Sequence, residues 1–137
     1  MKHKLLVLVT LTTLIIYACS ALSGTSDPLD GSSWQLTAYS GKDVIPGTNV
    51  TITFEDRQAS GQAGCNGYGG AYEVDGEKIV FRDVASTLML CTGPEGVMEQ
   101  EAEFLGSLNE AQRFELTDGQ LQLFRTDGEA LIFVPVQ

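Results

Sequence analysis

Apolar and polar residues alternate along most of the chain beyond residue 33. The apolar positions are Trp34, Leu36 and Ala38, then Val50, Ile52 and Phe54, then Tyr68, Gly70 and Tyr72, and then Ile79 and Phe81. Because successive side chains of a β-strand point to opposite faces, a period of two places each apolar set on one face. The pattern therefore predicts a series of short strands that each bury one side.

Three Asp-Gly pairs indicate where these strands turn. Asp75-Gly76, Asp118-Gly119 and Asp127-Gly128 each lie between two strand-like segments. Asp-Gly favours the type I′ hairpin turn, in which both central residues have a positive φ. The last two pairs connect segments 114–116, 121–124 and 131–134 into a meander. We count eight or nine strands and predict a mainly β fold, a small antiparallel β-barrel-like domain of about eight strands, with a sandwich as the related alternative.

One segment has the period of a helix. Its recurring positions are Val97, Met98, Glu101, Leu105 and Leu108, with Ala102 and Phe104 beside them. Thr92, Pro94 and Glu95 precede this stripe in the order of a capping box with Thr92 as the N-cap. The sequence predicts a single α-helix from about Glu95 to Glu110, whose apolar stripe covers the open side or end of the sheet.

The first eighteen residues have the pattern of an export signal. A basic segment, residues 2–4, precedes an apolar run at residues 5–17, which is shorter than the roughly 18 residues that a transmembrane helix needs. The run leads into Cys19 in a sequence similar to a bacterial lipobox, although Tyr17 stands where a small residue is usual. We expect cleavage before Cys19 and lipidation of Cys19. The alternative is an ordinary secretory signal cleaved after Ala21.

The residues that follow Cys19 offer little to bury. Ser, Gly, Thr, Asp and Pro dominate residues 19–32, which favours a flexible tether between the lipid and a domain at residues 33–137. Ser20 after the cysteine, where Asp would indicate inner-membrane retention, favours the periplasmic face of the outer membrane. The lipid would then be the contact of this protein with the membrane.

Charge and histidine content exclude several functions. Eighteen acidic and six basic residues follow Cys19, a net charge of −12, which opposes binding to nucleic acid. The single histidine, His3, lies in the predicted signal peptide. The mature chain therefore lacks the residue that Ser-His-Asp and Cys-His catalysis and histidine metal sites require. We expect no catalytic residue of these types, no metal site and no cofactor.

Cys65 and Cys91 are the two cysteines that remain after lipidation. In an exported protein an even pair favours a disulfide, which here would close a loop of 27 residues. The alternative is a pair of buried free thiols in contact. Two thiolates without histidine would leave the coordination shell of zinc incomplete.

A glycine-rich segment surrounds the first of these cysteines. It lacks the Lys-Ser/Thr end of a phosphate-binding loop, so we interpret it as a turn leading into a strand, with Asn66 suited to a left-handed conformation. Tyr68 and Tyr72 then lie on one side of that strand. They either fill the core or line a ligand cavity.

Two motifs in this region resemble signatures of the META domain, or HslJ-like, family. Gly64-Cys65-Asn66, Tyr68, Gly70 and Tyr72 are similar to G-C-N-x-Y-x-G-x-Y, and Ala85-Ser86-Thr87, Met89 and Cys91 are similar to A-S-T-x-M-x-C. Segment 98–101 with Phe104 resembles the helix of the family. The resemblance extends from about residue 29 to residue 137.

This resemblance implies a compact antiparallel β-barrel with one helix, found in bacterial envelope proteins and often in lipoproteins. It implies a disulfide between Cys65 and Cys91 and brings no catalytic residues with it. The founding member of the family is associated with heat shock. The fold is similar to that of pilot lipoproteins, which hold a hydrophobic ligand inside an open barrel.

We therefore expect a lipid-anchored, non-enzymatic envelope protein that binds an apolar ligand or an envelope protein. Tyr68 and Tyr72 are the candidate ligand residues. One alternative is an envelope hydrolase that uses two carboxylates, and another is a purely structural domain on a tether. The sequence leaves the oligomeric state and the identity of any partner open.

Overall fold

The computed structural model describes residues 26–136, so the predicted signal peptide, Cys19 and the first part of the predicted tether lie outside the described residues. The described part contains nine strands and one helix. They are β1 (Ser32–Tyr39), β2 (Lys42–Asp43), β3 (Asn49–Glu55), β4 (Gln58–Gly64), β5 (Gly67–Asp75), β6 (Lys78–Ser86), α1 (Val97–Glu110), β7 (Ala111–Thr117), β8 (Gln120–Arg125) and β9 (Ala130–Pro135).

Eight of the strands form a closed antiparallel barrel. Strands β3 to β9 pair in chain order after β1, and β1 closes the barrel by pairing with β9. The two-residue strand β2 extends one edge of β1. Strands β6 and β7 are joined at a single residue pair, Lys78 and Arg113, and α1 packs against β4, β6 and β8. The predicted antiparallel barrel with one helix is confirmed.

The three Asp-Gly pairs all form hairpin turns, but they use different turn geometries. Asp118 and Gly119 both have positive φ, 53° and 75°, as the predicted type I′ turn requires. Asp75 instead pairs with Lys78 as the last residue of β5, which leaves Gly76 as the central residue with positive φ. At the third pair only Gly128 has positive φ, within a longer loop.

Side chains fill the interior of the barrel. The rings of Phe54 and Tyr72 meet edge to face, with their centroids 4.8 Å apart. The ring centroid of Phe104 in α1 lies 5.4 Å from that of Tyr68 and 6.5 Å from that of Phe133. Phe104 is fully buried, so α1 contributes its own aromatic side chain to the barrel core, as its predicted covering role requires. Aromatic and aliphatic side chains from the strands surround these rings in one continuous core.

A bulge changes which residues of β1 face this core. Trp34 and Leu36 are buried as predicted, but the pairing with β9 shifts between Leu36 and Ala38. Because one extra residue reverses the alternation of a strand, Tyr39 is buried and Ala38 is half-buried. The predicted set Trp34, Leu36 and Ala38 is therefore wrong in its last member.

The helix begins later than predicted and without the predicted cap. Its N-cap is Gly96, with φ 82°, and no side chain caps it, so the interpretation of Thr92 as N-cap is wrong. A tight turn places Pro94 before the helix, with its carbonyl accepting from the Val97 amide at 3.1 Å. The buried face also includes two long polar side chains, Gln100 and Glu101. The sequence interpretation did not assign Gln100 to that face.

The folded domain begins before residue 33, so the predicted boundary between tether and domain lies too late. Leu29 is fully buried in the core, and the Asp27 carboxylate accepts hydrogen bonds from the Leu29 amide and the Tyr72 hydroxyl. Asp30 accepts from the Asp56 amide at 2.8 Å. The burial of Leu29 and the hydrogen bonds of Asp27 and Asp30 thus hold residues 27–31 against one end of the barrel.

Candidate functional site: the anchored loop

The connection between β6 and α1 exposes three large apolar side chains. Leu88 is 96% exposed, Leu90 82% and Met89 58%. They belong to residues 87–91, which we call the anchored loop. Adjacent exposed apolar residues on a soluble domain indicate a contact surface more often than single ones do, because solvent contact of a cluster is costly.

Asn66 holds the middle of this loop. Its side-chain nitrogen donates to the Met89 carbonyl at 3.0 Å, and its side-chain oxygen accepts from the Met89 amide at 2.7 Å. The same oxygen accepts from the Thr87 hydroxyl at 2.8 Å. The side-chain amide of Asn66 thus makes the same pair of hydrogen bonds to the backbone of Met89 that a residue of a neighbouring β-strand would make. Both polar atoms of the buried side chain are satisfied.

Glu101 of α1 fixes Asn66 in turn. One carboxylate oxygen accepts from the Cys65 and Asn66 backbone amides at 3.0 and 2.7 Å, and the other accepts from the Asn66 side chain at 2.6 Å. Glu101 is 5% exposed. Hydrogen bonds to a carboxylate are stronger than those between neutral groups, and three of them offset part of the cost of its burial.

The disulfide between Cys65 and Cys91 fixes the far end of the anchored loop. The two Cα atoms are 5.9 Å apart, and the predicted bond is present. The near end is held by the Thr87 amide, which donates to the Gly67 carbonyl at 3.0 Å. The anchored loop is therefore attached at its start, middle and end, while its apolar side chains remain in solvent.

Gly64 allows the first motif to approach the helix. Its φ is 115°, and a Cβ atom there would lie 3.4 Å from the side chains of Gln100 and Val97. Gln100 accepts from the Ile45 amide at 2.7 Å and donates to the Thr48 hydroxyl at 2.9 Å. Gln100 and Glu101, two of the buried polar residues of α1, thus hold two separate loops at the same end of the barrel.

The two candidate ligand residues, Tyr68 and Tyr72, are buried and already bonded within the protein. The Tyr68 hydroxyl donates to the Thr51 carbonyl at 2.8 Å, and the Tyr72 hydroxyl donates to Asp27. Burial raises the pKa of both phenols well above the usual value, and the bond to Asp27 adds to this effect for Tyr72. Each borders a different open cleft. A ligand role for them stays a prediction.

An exposed ion pair lies on another face of α1. Lys42 of β2 donates to Glu103 at 2.9 Å. This hydrogen bond is the main reason that the pKa of Glu103 is lowered, and it raises the pKa of Lys42. The pair connects β2 to the helix on the side away from the buried Glu101.

The described residues show neither a metal centre nor a membrane-spanning helix. Between residues 26 and 136, no three His, Cys, Asp or Glu side chains cluster in a way that could hold a metal ion. Helix α1 falls short of the length and hydropathy needed to cross a bilayer, and it is the only helix in that range.

Sequence reasoning found the cysteines of this site but missed its polar centre. Asn66 is not among the residues with positive φ, so its expected left-handed conformation is wrong. Its side chain links the two motifs that carry the family resemblance. Asn66 lies in the first motif, Thr87 and Met89 lie in the second, and Glu101 lies in the helix. The presence of Asn66, Thr87 and Met89 in the motifs of one family was the sequence signal that could have indicated their contact.

The fold and the anchored loop together define a class of protein: a small closed antiparallel barrel whose single helix holds a disulfide-bonded loop at one end. The sequence model of the META domain family matches residues 27–137, and the chain belongs to that family. No protein with a curated description matches the chain significantly.

Solved structures share this fold. An NMR structure of a protein from Burkholderia xenovorans is 29% identical, with a TM-score of 0.68 over 80% of this chain and 84% of that one. Another NMR structure is 24% identical, with a TM-score of 0.64 over 77% and 90%. A DUF4847 family protein from Bacteroides vulgatus ATCC 8482 is 16% identical, with a TM-score of 0.57 over 81% and 96%.

Proposed function

We propose that this protein is a lipid-anchored module of the bacterial cell envelope that acts by binding and not by catalysis. The observation that carries the proposal is the anchored loop. It holds Leu88, Met89 and Leu90 in solvent at the end of a barrel whose interior is filled. A filled interior favours an external contact over an apolar ligand held inside, and the anchored loop is the apolar surface suited to it.

The energetics of the anchored loop support a binding role. Burial of one leucine side chain stabilises a complex by about 1.5–3 kcal/mol, and Leu88 and Leu90 both remain to be buried. Binding normally loses part of this gain to the ordering of flexible segments. Here the hydrogen bonds of Asn66 and the Cys65–Cys91 bond order the backbone beforehand. The part of the gain that is lost to ordering the backbone of the loop is therefore small.

The envelope location is supported by the sequence before and within the domain. The apolar run that leads into Cys19 has the pattern of a lipoprotein signal. A disulfide fits an exported protein, because cytosolic thiols are kept reduced. A stress-associated role within the envelope is part of this proposal, through the family to which the domain belongs.

The acidic residues with known contacts have structural roles, which favours binding over carboxylate catalysis. Glu101 accepts from Cys65 and Asn66, and Asp27 and Asp30 hold the N-terminal residues on the barrel. A hydrolase would need two carboxyl groups free to reach a substrate. Hydrolytic turnover that disappears when one Asp or Glu is replaced would contradict the proposal.

In-cell photocrosslinking tests the binding role. A photoreactive amino acid at position 90 of the full-length lipidated protein should form a covalent adduct on irradiation, since Leu90 is 82% exposed on the anchored loop. Position 116 is the matched control, because Leu116 is an exposed leucine of β7 outside the anchored loop. Adduct yields that are equal at the two positions, or absent at both, would contradict a binding role for this loop.

A further inference from the structure

The anchored loop and the N-terminal residues lie at opposite ends of the barrel. Asp30 bonds to Asp56 in the turn that precedes β4, whereas Asn66 follows the end of β4 and bonds to the anchored loop. The seven residues of β4 span roughly 20 Å at the rise of an extended strand. Strand β5 runs back between the same two ends, since Ser86 at the end of β6 pairs with Tyr68 near its start.

This arrangement places the anchored loop at the end of the barrel opposite to residues 27–31, from which the chain leads back to Cys19. Cys19 precedes Ser26 by seven residues, so an acylated Cys19 remains within about 25 Å of the N-terminal end of the barrel. The apolar side chains of the anchored loop lie at the other end.

The chain segment that contains the anchored loop is acidic. Residues 83–112 contain no Lys or Arg, and they include the exposed Glu95, which lies between the anchored loop and α1, and the exposed Glu99 in the first turn of α1. A partner surface with positive charge around an apolar centre is complementary to this arrangement. An acidic surface is repelled.

We propose that the anchored loop inserts into an apolar pocket with a Lys- or Arg-rich rim on another envelope protein. Leu88 and Leu90 fill the pocket, and Glu95 and Glu99 face the basic rim. The inference rests on the proposed binding function and names the chemistry of the partner. A convex apolar loop needs a concave complement, and small buried anchors with a charged rim are a common form of protein interface.

Two other partners, a second copy of this chain and a bilayer surface, fit the observations less well. A second copy would bring a second Glu95 and Glu99 against the first pair, and like charges brought together oppose this contact. A bilayer surface with anionic lipids is repelled by the same glutamates. Loops and helices that bind such surfaces carry Lys or Arg, which residues 83–112 lack.

The mass of the adduct formed from position 90 identifies the occupant. We expect an adduct with a different protein, and the crosslinked peptide should contain apolar residues flanked by Lys or Arg. An adduct of one phospholipid, or one of twice the mass of this chain, would overturn the inference while leaving the proposed binding function intact. Absence of any adduct would overturn both.

Charge reversal tests the basic rim. E95K/E99K should lower the yield of the protein adduct about tenfold, because rim charges steer association. E55K/E77K is the matched control with the same change in net charge. Glu55 ends β3 and Glu77 directly precedes β6, and both are exposed at the end of the barrel that carries the N-terminal residues. An equal effect of the two double variants, or no effect of either, would overturn the proposed rim.

Discussion

Asn66 is a single side chain that holds three separate segments of the chain together. Its amide bonds to Met89 and Thr87 of the anchored loop and to Glu101 of α1. A buried amide with four satisfied bonds determines one arrangement of its neighbours, because every alternative leaves polar groups without partners. Asn66 bonds to the backbone of the anchored loop. It therefore fixes the position of the exposed apolar side chains of this loop without touching them through its polar atoms.

Replacement of Asn66 should destabilise the domain. Asn66→Ala leaves the backbone groups of Met89 and one oxygen of Glu101 without their partner, and we expect a loss of about 2–3 kcal/mol in the free energy of unfolding. Asn109→Ala is the matched control, since Asn109 is exposed and donates only to Leu105 of its own helix. Urea unfolding of both variants measures the difference. Equal losses would contradict the assigned role of Asn66.

The ion pair between Lys42 and Glu103 predicts a pH dependence with a definite sign. Because the hydrogen bond from Lys42 lowers the pKa of Glu103 in the folded state, ionised Glu103 stabilises the fold above the usual glutamate pKa. This contribution is lost as the pH falls through the lowered value. Glu103→Gln should therefore reduce the loss of stability between about pH 5 and pH 3, the range around the ordinary pKa of glutamate.

The control for this prediction is the partner residue. In a Lys42→Met background, Glu103→Gln should change the acid dependence of unfolding less, because the hydrogen bond that contributes most to lowering the pKa of Glu103 is already absent. The effect is small, since Lys42 is exposed to solvent. A pH profile of the midpoint of thermal unfolding for the four variants would show whether the two residues are coupled.

At the scale of elements, the anchored loop depends on a covalent bond as well as on hydrogen bonds. The Cys65–Cys91 disulfide joins the β4–β5 turn to the segment before α1. C65A/C91A should lower the free energy of unfolding by about 2–5 kcal/mol, the usual effect of removing a native disulfide from a small secreted domain. Denaturation with and without reductant should give the same difference for the wild-type protein. Alkylation of two thiols under non-reducing, denaturing conditions would contradict the bond.

The pairing of β5 with β6 depends on one glycine. A Cβ atom at Gly70 would lie 2.8 Å from the Arg82 carbonyl oxygen and 2.9 Å from Val84 Cα, both backbone atoms, next to a bulge in the pairing. Gly70→Ala should destabilise the domain by about 1–3 kcal/mol through overpacking. At Gly69 the nearest atom is 3.8 Å away, so Gly69→Ala in the same strand is the control. Chemical unfolding that ranks the two variants equally would contradict this reason for Gly70.

At the scale of the whole molecule, we predict that a lipid on Cys19 anchors the protein to the membrane. Cys19→Ala should abolish acylation, and the protein should then be released from the membrane fraction, because the barrel itself supplies no other anchor in this proposal. The intact mass of the wild-type protein from the membrane fraction should include acyl chains. A mass without them, or an N-terminus at Ser20 or later, would contradict the predicted anchor.

Much of the barrel could be predicted from local sequence. Alternation of apolar residues at Val50, Ile52 and Phe54 gives the correct buried face of β3, and the Asp-Gly pairs give the hairpins. The N-terminal boundary and the start of α1 could not be predicted in this way. Leu29 belongs to the domain because it meets a core formed by distant strands, and Thr92 fails as a cap because the chain turns again at Pro94 before the helix begins.

The sequence by itself determined the strands, the helix and the pair of cysteines, because the period of apolar residues and the conformational preferences of turn residues are local properties. Only the tertiary structure decided that Asn66, Glu101 and the anchored loop meet. Their hydrogen bonds join residues 23 and 35 positions apart, and nothing in either segment alone specifies the other. The closed barrel brings a polar side chain of the helix next to Asn66, which holds the anchored loop while the leucines of the loop stay in solvent.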